Sequence, residues 1–182
     1  MTVMPSDPAT ANRLMLALGG IVIHFGEFEV ALQAAIVAIH HGADEREIGE
    51  GDGEKQLPED GLSRGAKYLR KSVKFDGMGP FAGDIKRIVL TVKRLAGKRN
   101  HIMHGYLFEF IEETETVVFH KFNVDRKDGT FGGSPLTLTI VELEALRDEM
   151  AAMAADMLGL AARLTQAFFG EPKLLTDFSS GP

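Results

Sequence analysis

The chain has 182 residues, the length of one ordinary domain, with a core large enough to need neither metal nor disulfide staples. Its 45% hydrophobic and 25% charged residues are average globular usage, which excludes a wholly disordered or fibrous chain. There is no cysteine, so disulfide frameworks, thiolate zinc sites and cysteine nucleophiles are ruled out.

The formal net charge of -6 argues, taken alone, against a nucleic-acid partner, yet it conceals a strong asymmetry. Between Leu62 and His104 stand eleven Lys or Arg against only Asp76 and Asp84, a local excess of nine positive charges. Separation of this kind reports an anion-binding surface that net charge averages away.

The N-terminus lacks the basic start and small-residue cleavage site of a secretory signal. Its apolar run from Leu14 to Ile39 is broken by His24, Glu27, Glu29 and Gln33. That leaves it short of the roughly 18 uninterrupted apolar residues of a membrane span. The expected location is therefore the cytoplasm, with no membrane partner.

In chain order, Leu14, Leu18, Ile21, Phe25, Phe28, Leu32, Ala35 and Ile39 recur at helical steps and predict one long first helix. It ends at His40, His41 and Gly42. Residues 43–61 are acidic and Gly-rich and read as a loop. Ser63 is the expected N-cap of a short second helix with Ala66, Leu69 and Val73 inward. On its other face Lys67, Arg70, Lys71 and Lys74 form one basic stripe. Gly77, Gly79 and Pro80 break the chain. A third helix from Phe81 carries Ile85, Ile88, Val89, Val92, Leu95 and Ala96 on one side. Its other side carries Lys86, Arg87, Lys93, Arg94 and Lys98.

From Tyr106 to Ile111 and from Thr116 to Phe122 the chain turns aromatic and β-branched around a polar turn at Glu113 and Thr114, which predicts a β-hairpin. Asp128-Gly129 and Gly132-Gly133 mark further turns, and Leu136 to Thr139 suggest a short third strand. Thr139 with Glu142 has the spacing of a capping box. It opens a last helix whose Leu143, Leu146, Met150, Met153, Met157, Leu160, Leu164 and Phe168 make a seam suited to a bundle or a helical dimer. The tail, 171–182, is expected to fray. The fold class is thus mainly α: one domain over 1–182, an antiparallel four-helix bundle with a β-hairpin insertion, 105–139, between the third and last helices.

At the end of the third helix the chain reads Lys98-Arg99-Asn100-His101-Ile102-Met103-His104-Gly105. Arg99 interrupts an apolar seam, a costly placement for a cation unless something pairs with it. Asn100 and His104, four apart, share one helical face, and Gly105 ends the helix. The spacing of Arg99, Asn100 and His104 resembles the signature of the HEPN superfamily, helical-bundle proteins among which are many metal-independent RNA endonucleases. The layout of long first helix, motif helix, β insertion and last helix is similar too.

The resemblance implies catalytic Arg99 and His104 with Asn100 supporting, and Glu29, in the Phe25-Gly26-Glu27-Phe28-Glu29 segment, holding Arg99. It implies no cofactor and a homodimer with a composite site. It also implies RNA as substrate, as in toxin or antiviral-defence proteins, with an antitoxin or nucleotidyltransferase as partner. Lys67, Arg70, Lys71, Lys74, Arg94 and Lys98 are the expected phosphate-binding residues. The same residues admit plainer readings: Arg99 in a structural ion pair with Glu29, His104 satisfied by the helix dipole, and His101 with His104 as a metal pair, which lacks a nearby carboxylate.

Overall fold

The computed structural model describes residues 4–42, 62–124 and 131–170. The expected loop at 43–61, the turn at Asp128-Gly129 and the tail lie outside the described residues. Four helices and one small sheet make up the described chain: α1 (Pro8–Gly42), α2 (Leu62–Ser72), α3 (Ala82–His104), β1 (Tyr106–Ile111), β2 (Thr116–Val124), β3 (Phe131–Thr139) and α4 (Ile140–Phe169). The class is mainly α with a three-stranded antiparallel sheet in the order β1, β2, β3. The third strand, expected only as a short one over Leu136 to Thr139, is as long as the second, and Gly132 and Gly133, expected in a turn, lie within it, paired with Asn123 and Phe122.

The core lies chiefly between α1 and α4. Leu14, Ile21, Phe25, Phe28, Leu32 and Ile39 meet Leu143, Leu146, Met150, Met157, Leu160 and Leu164, all at most 3% exposed. From the sheet, Phe110, Val117, Phe119 and Leu138 join the same core.

Helix directions follow from three contacts along α1 and α4. Arg13 binds Glu144, a Cβ on Gly20 would strike Arg147, and one on Gly42 would strike Phe168. Both helices ascend together, so α1 and α4 run parallel and the expected uniformly antiparallel arrangement does not form. The cause lies before α3, which already runs antiparallel to α1: Arg99 lies against Phe25, and Ile102 and Gly105 lie beside Leu18, Gly19 and Val22. The sheet returns the chain to the end where α3 stopped, its last strand passing into α4 beside Glu115, whose carbonyl accepts from the Ile140 N–H. Helix α4 therefore descends against α3 and follows α1.

The predicted capping box is present. Thr139 Oγ1 accepts from the Glu142 N–H at 3.2 Å, and the Thr139 N–H donates to Glu142 Oε2 at 2.8 Å. That backbone hydrogen bond holds the Glu142 carboxyl below its ordinary range. Arg13 does the same for Glu144, Arg94 for Glu149 and Arg163 for Asp84. Folded-state values below the unfolded ones mean that the unfolded chain takes up these protons first. Their stabilisation is complete above the ordinary carboxylate range of about 4 and disappears as pH falls through the lower folded values. Thermal melts between neutral pH and acid are expected to show a falling Tm below that range. Thr139→Ala should cost about 1 kcal/mol at neutral pH and flatten part of that acid slope.

Helix α1 is long and apolar all round, with mean hydropathy 1.6 over its most apolar 18 residues, of which 44% are buried within the chain. Length and composition alone would let it cross a membrane, a property that core helices share. On its outer side Leu16, Ile23, Val30 and Val37, at steps of seven, are 60%, 60%, 71% and 41% exposed.

Candidate functional site

On α3 the inward seam of Ile85, Ile88, Val92 and Leu95 is buried. One turn further it delivers Arg99, whose side chain is 14% exposed. The cost of placing a guanidinium there is met first by an aromatic ring. Arg99 Cζ lies 3.9 Å from the centroid of Phe25, a close cation–π stack. Nη1 donates to Asn100 Oδ1 at 3.0 Å and reaches His104 Nε2 at 3.3 Å. The expected partner Glu29 lies 3.7 Å from Nη2, near enough for attraction but beyond a hydrogen bond. Phe25 therefore does more to house the guanidinium than Glu29. Four residues before Glu29 on the same helix, it shares that face, the one signal in the sequence that points to it. The buried Nε has no hydrogen-bond partner among the described residues.

Arg99 can only donate, so its contact with His104 requires the Nε2 lone pair and places the ring proton on Nδ1. His104 itself is exposed, at the last position of α3. The Gly105 N–H makes the last helical hydrogen bond, to the His101 carbonyl at 2.8 Å, and the helix stops there because the backbone of Gly105 is extended. A Cβ on Gly105 would lie 2.2 Å from that carbonyl oxygen, so close approach, rather than an unusual φ, requires the glycine. Arg99, Asn100 and His104 thus form one hydrogen-bonded constellation at an open helix end.

His101 belongs to a different contact. Its Nδ1 lies 3.0 Å from the Gly97 carbonyl, which only an N–H can satisfy, leaving Nε2 to accept from Ser134 Oγ at 3.0 Å. It staples α3 to β3, and His101 and His104 turn to separate partners. Among the described residues no group of three or more potential metal-binding side chains occurs.

The basic residues divide into two sets. Between α2 and α3 lies a groove of about 530 Å³, lined by Arg64, Lys67 and Arg70 from α2 and Lys93 from α3, with Arg99 and Asn100 at its edge. Lys71 on α2 and Lys74 in the turn after it are exposed but do not line it. Arg94 faces the other way and pairs with Glu149. Lys98 lies near Glu142 and Glu149, whose carboxyls it helps hold down. Arg87 pairs with Asp84 and Asp156. Antiparallel packing sets Arg87 and Arg94, seven apart, against Asp156 and Glu149, also seven apart. That row is neutralised by α4, whereas the row toward α2 opens on the larger groove.

Two residues beyond His104, Tyr106 begins an outward aromatic patch with Phe108 and His120. The Phe108 and His120 rings lie 4.5 Å apart between centroids, and Tyr106 lies 6.1 Å from Phe108. This patch was not among the expected site residues; alternation of Tyr106 and Phe108 along a strand was its signal.

Fold and site together define a mainly helical chain with a small antiparallel sheet, carrying an Arg-Asn-His constellation between a cationic groove and an aromatic patch. Comparison with protein-family models, curated proteins and solved structures returns no match.

Proposed function

We propose that the chain is a metal-independent RNA endonuclease of the HEPN kind, a four-helix bundle acting as a cytoplasmic homodimer in toxin or antiviral-defence systems. The observation that carries this reading is the single guanidinium joining Asn100 to an exposed His104. RNA can be cut through its own 2′-hydroxyl, which needs a base to take the hydroxyl proton and an acid to protonate the leaving oxygen. Histidine titrates near working pH and serves either task. A phosphate that recruits Nη1 of Arg99 releases the Nε2 lone pair of His104 as the base. The guanidinium then stabilises the charge developing on the phosphate. Asn100 holds the guanidinium in line.

One imidazole serves one face of an in-line reaction, so a second copy related by a two-fold axis supplies the acid. The outer seam of α1 is the surface for that pairing: Leu16, Ile23, Val30 and Val37 repeat at seven, with Gly19 and Gly26 between them to let two helices approach. The seam borders the site, because Phe25 and Glu29 of the same helix hold Arg99. Ile23→Lys is expected to convert a dimer to a monomer in light scattering and to abolish cleavage with the fold intact. A variant that stays dimeric removes α1 as the interface. An antitoxin or nucleotidyltransferase is the partner this reading proposes.

The direct test is incubation of purified protein with messenger or transfer RNA in EDTA. Products with 2′,3′-cyclic phosphate and 5′-hydroxyl ends are expected, and intact RNA after incubation with folded dimer overturns the reading. The half-buried, ring-stacked state of Arg99 favours a second reading, a non-catalytic helical interaction or nucleotide-binding domain in which Arg99 and His104 tie α3 to α1.

A further inference from the structure

The groove between α2 and α3 combines features that neither a bare ion nor an apolar ligand would use together. Its floor is Val89, Val92 and Ala96, and its rim carries Lys67, Arg70 and Lys93. Among the described residues no acidic side chain pairs with these three cations, whereas Arg87 and Arg94 on the same helix are neutralised by α4. The volume, about 530 Å³, suits one small ligand. An apolar floor under a cationic rim matches an anion with a flat apolar body.

We infer that the groove seats one nucleotide of the RNA strand beside the scissile phosphate, its base on Val89, Val92 and Ala96 and its phosphate among Lys67, Arg70 and Lys93. This rests on the reading of Arg99 and His104 as acting on RNA, because those cations lead along the groove to Arg99 and Asn100. The nucleotide must come from a single strand, since a base stacked within a duplex offers no free face to the floor.

The experiment measures binding apart from cleavage, in a His104→Ala background. The probe is a labelled unpaired RNA ten-mer, followed by fluorescence anisotropy across a salt series, with the same ten-mer as a duplex, AMP and inorganic phosphate as competitors. Each phosphate contact on a single strand adds about 0.7 to the salt slope. Lys67→Gln with Arg70→Gln, at two residues that face one phosphate, is therefore expected to lower the slope by about 0.7 and to weaken binding several-fold. Ala96→Leu, which fills the floor without touching charge, should weaken the ten-mer and leave the slope unchanged. Melting curves establish that both variants are folded, and the duplex should compete poorly.

Unchanged affinity and slope in the double variant overturn the site. A double variant that weakens while Ala96→Leu binds as before reduces it to an anion surface and overturns the nucleotide assignment. AMP binding that depends on Lys67 and Arg70, with ten-mer binding independent of them, overturns the assignment to the RNA strand. Groove-dependent binding by a wild-type protein that never cleaves overturns the endonuclease reading and leaves the groove standing.

Discussion

His104→Ala is expected to lower RNA cleavage by about two to four powers of ten while leaving the fold and the melting temperature nearly unchanged. That range is what a positioned general acid or base contributes. The small effect on stability follows from geometry. His104 is exposed, and its one hydrogen-bond contact among the described residues is with Arg99, whose guanidinium keeps Asn100, Phe25 and Glu29 after the ring is gone. Arg99→Lys should be comparably inactive, because an ammonium keeps the charge but loses the planar fork that binds phosphate through two N–H groups. If both residues act on one phosphate, the double variant should be little worse than either single one, as for groups that work as a unit. Cleavage at the wild-type rate by His104→Ala would exclude the imidazole from the reaction. A large fall in Tm instead would assign His104 to holding α3 against α1, the interaction-domain reading.

The largest loss of stability is expected at Phe25. The ring is 2% exposed and packed in the α1 and α4 core, and it is also the shelf on which Arg99 rests. Truncating a buried Phe to Ala costs about 3–5 kcal/mol. Against a total of about 5–15 kcal/mol for a native domain, this is enough to leave part of the population unfolded near physiological temperature. The cation–π contact adds about 1 kcal/mol or more where the cation is desolvated. Phe25→Leu separates the two roles. Leucine refills most of the volume and should recover most of the Tm, but it offers no π face. Cleavage should therefore stay depressed in Phe25→Leu even where the protein is fully folded. Full activity in that variant would show that packing alone, and not the aromatic face, positions Arg99.

Much of the secondary structure was legible because it depends on local chemistry. The three- and four-residue repeats of α1 and α4 are a property of one helix facing one core, and the Thr139/Glu142 cap involves residues three apart. Arg99, Asn100 and His104 were legible for the same reason: residues one and four apart on a helix must lie together. What stood outside the sequence is what depends on a second element. The parallel run of α1 and α4 follows from α3 lying antiparallel to both, and residue spacing within the helices carries no information about that.

The opening asymmetry of charge shows the division most plainly. By itself the sequence determined that positive charge concentrates in residues 62–104 and that an arginine interrupts an apolar seam there. Only the tertiary structure decided which cations remain available to a ligand. Helix α4 brings Glu149 and Asp156 against Arg94 and Arg87 and cancels one row, and α2 leaves Lys67 and Arg70 facing an open groove. It likewise decided that Phe25, more than Glu29, makes Arg99 tolerable in its place. The physical reason is common to both. The energy of a charge is set by what lies within a few ångströms of it, and across helices that neighbourhood is written by packing rather than by order along the chain.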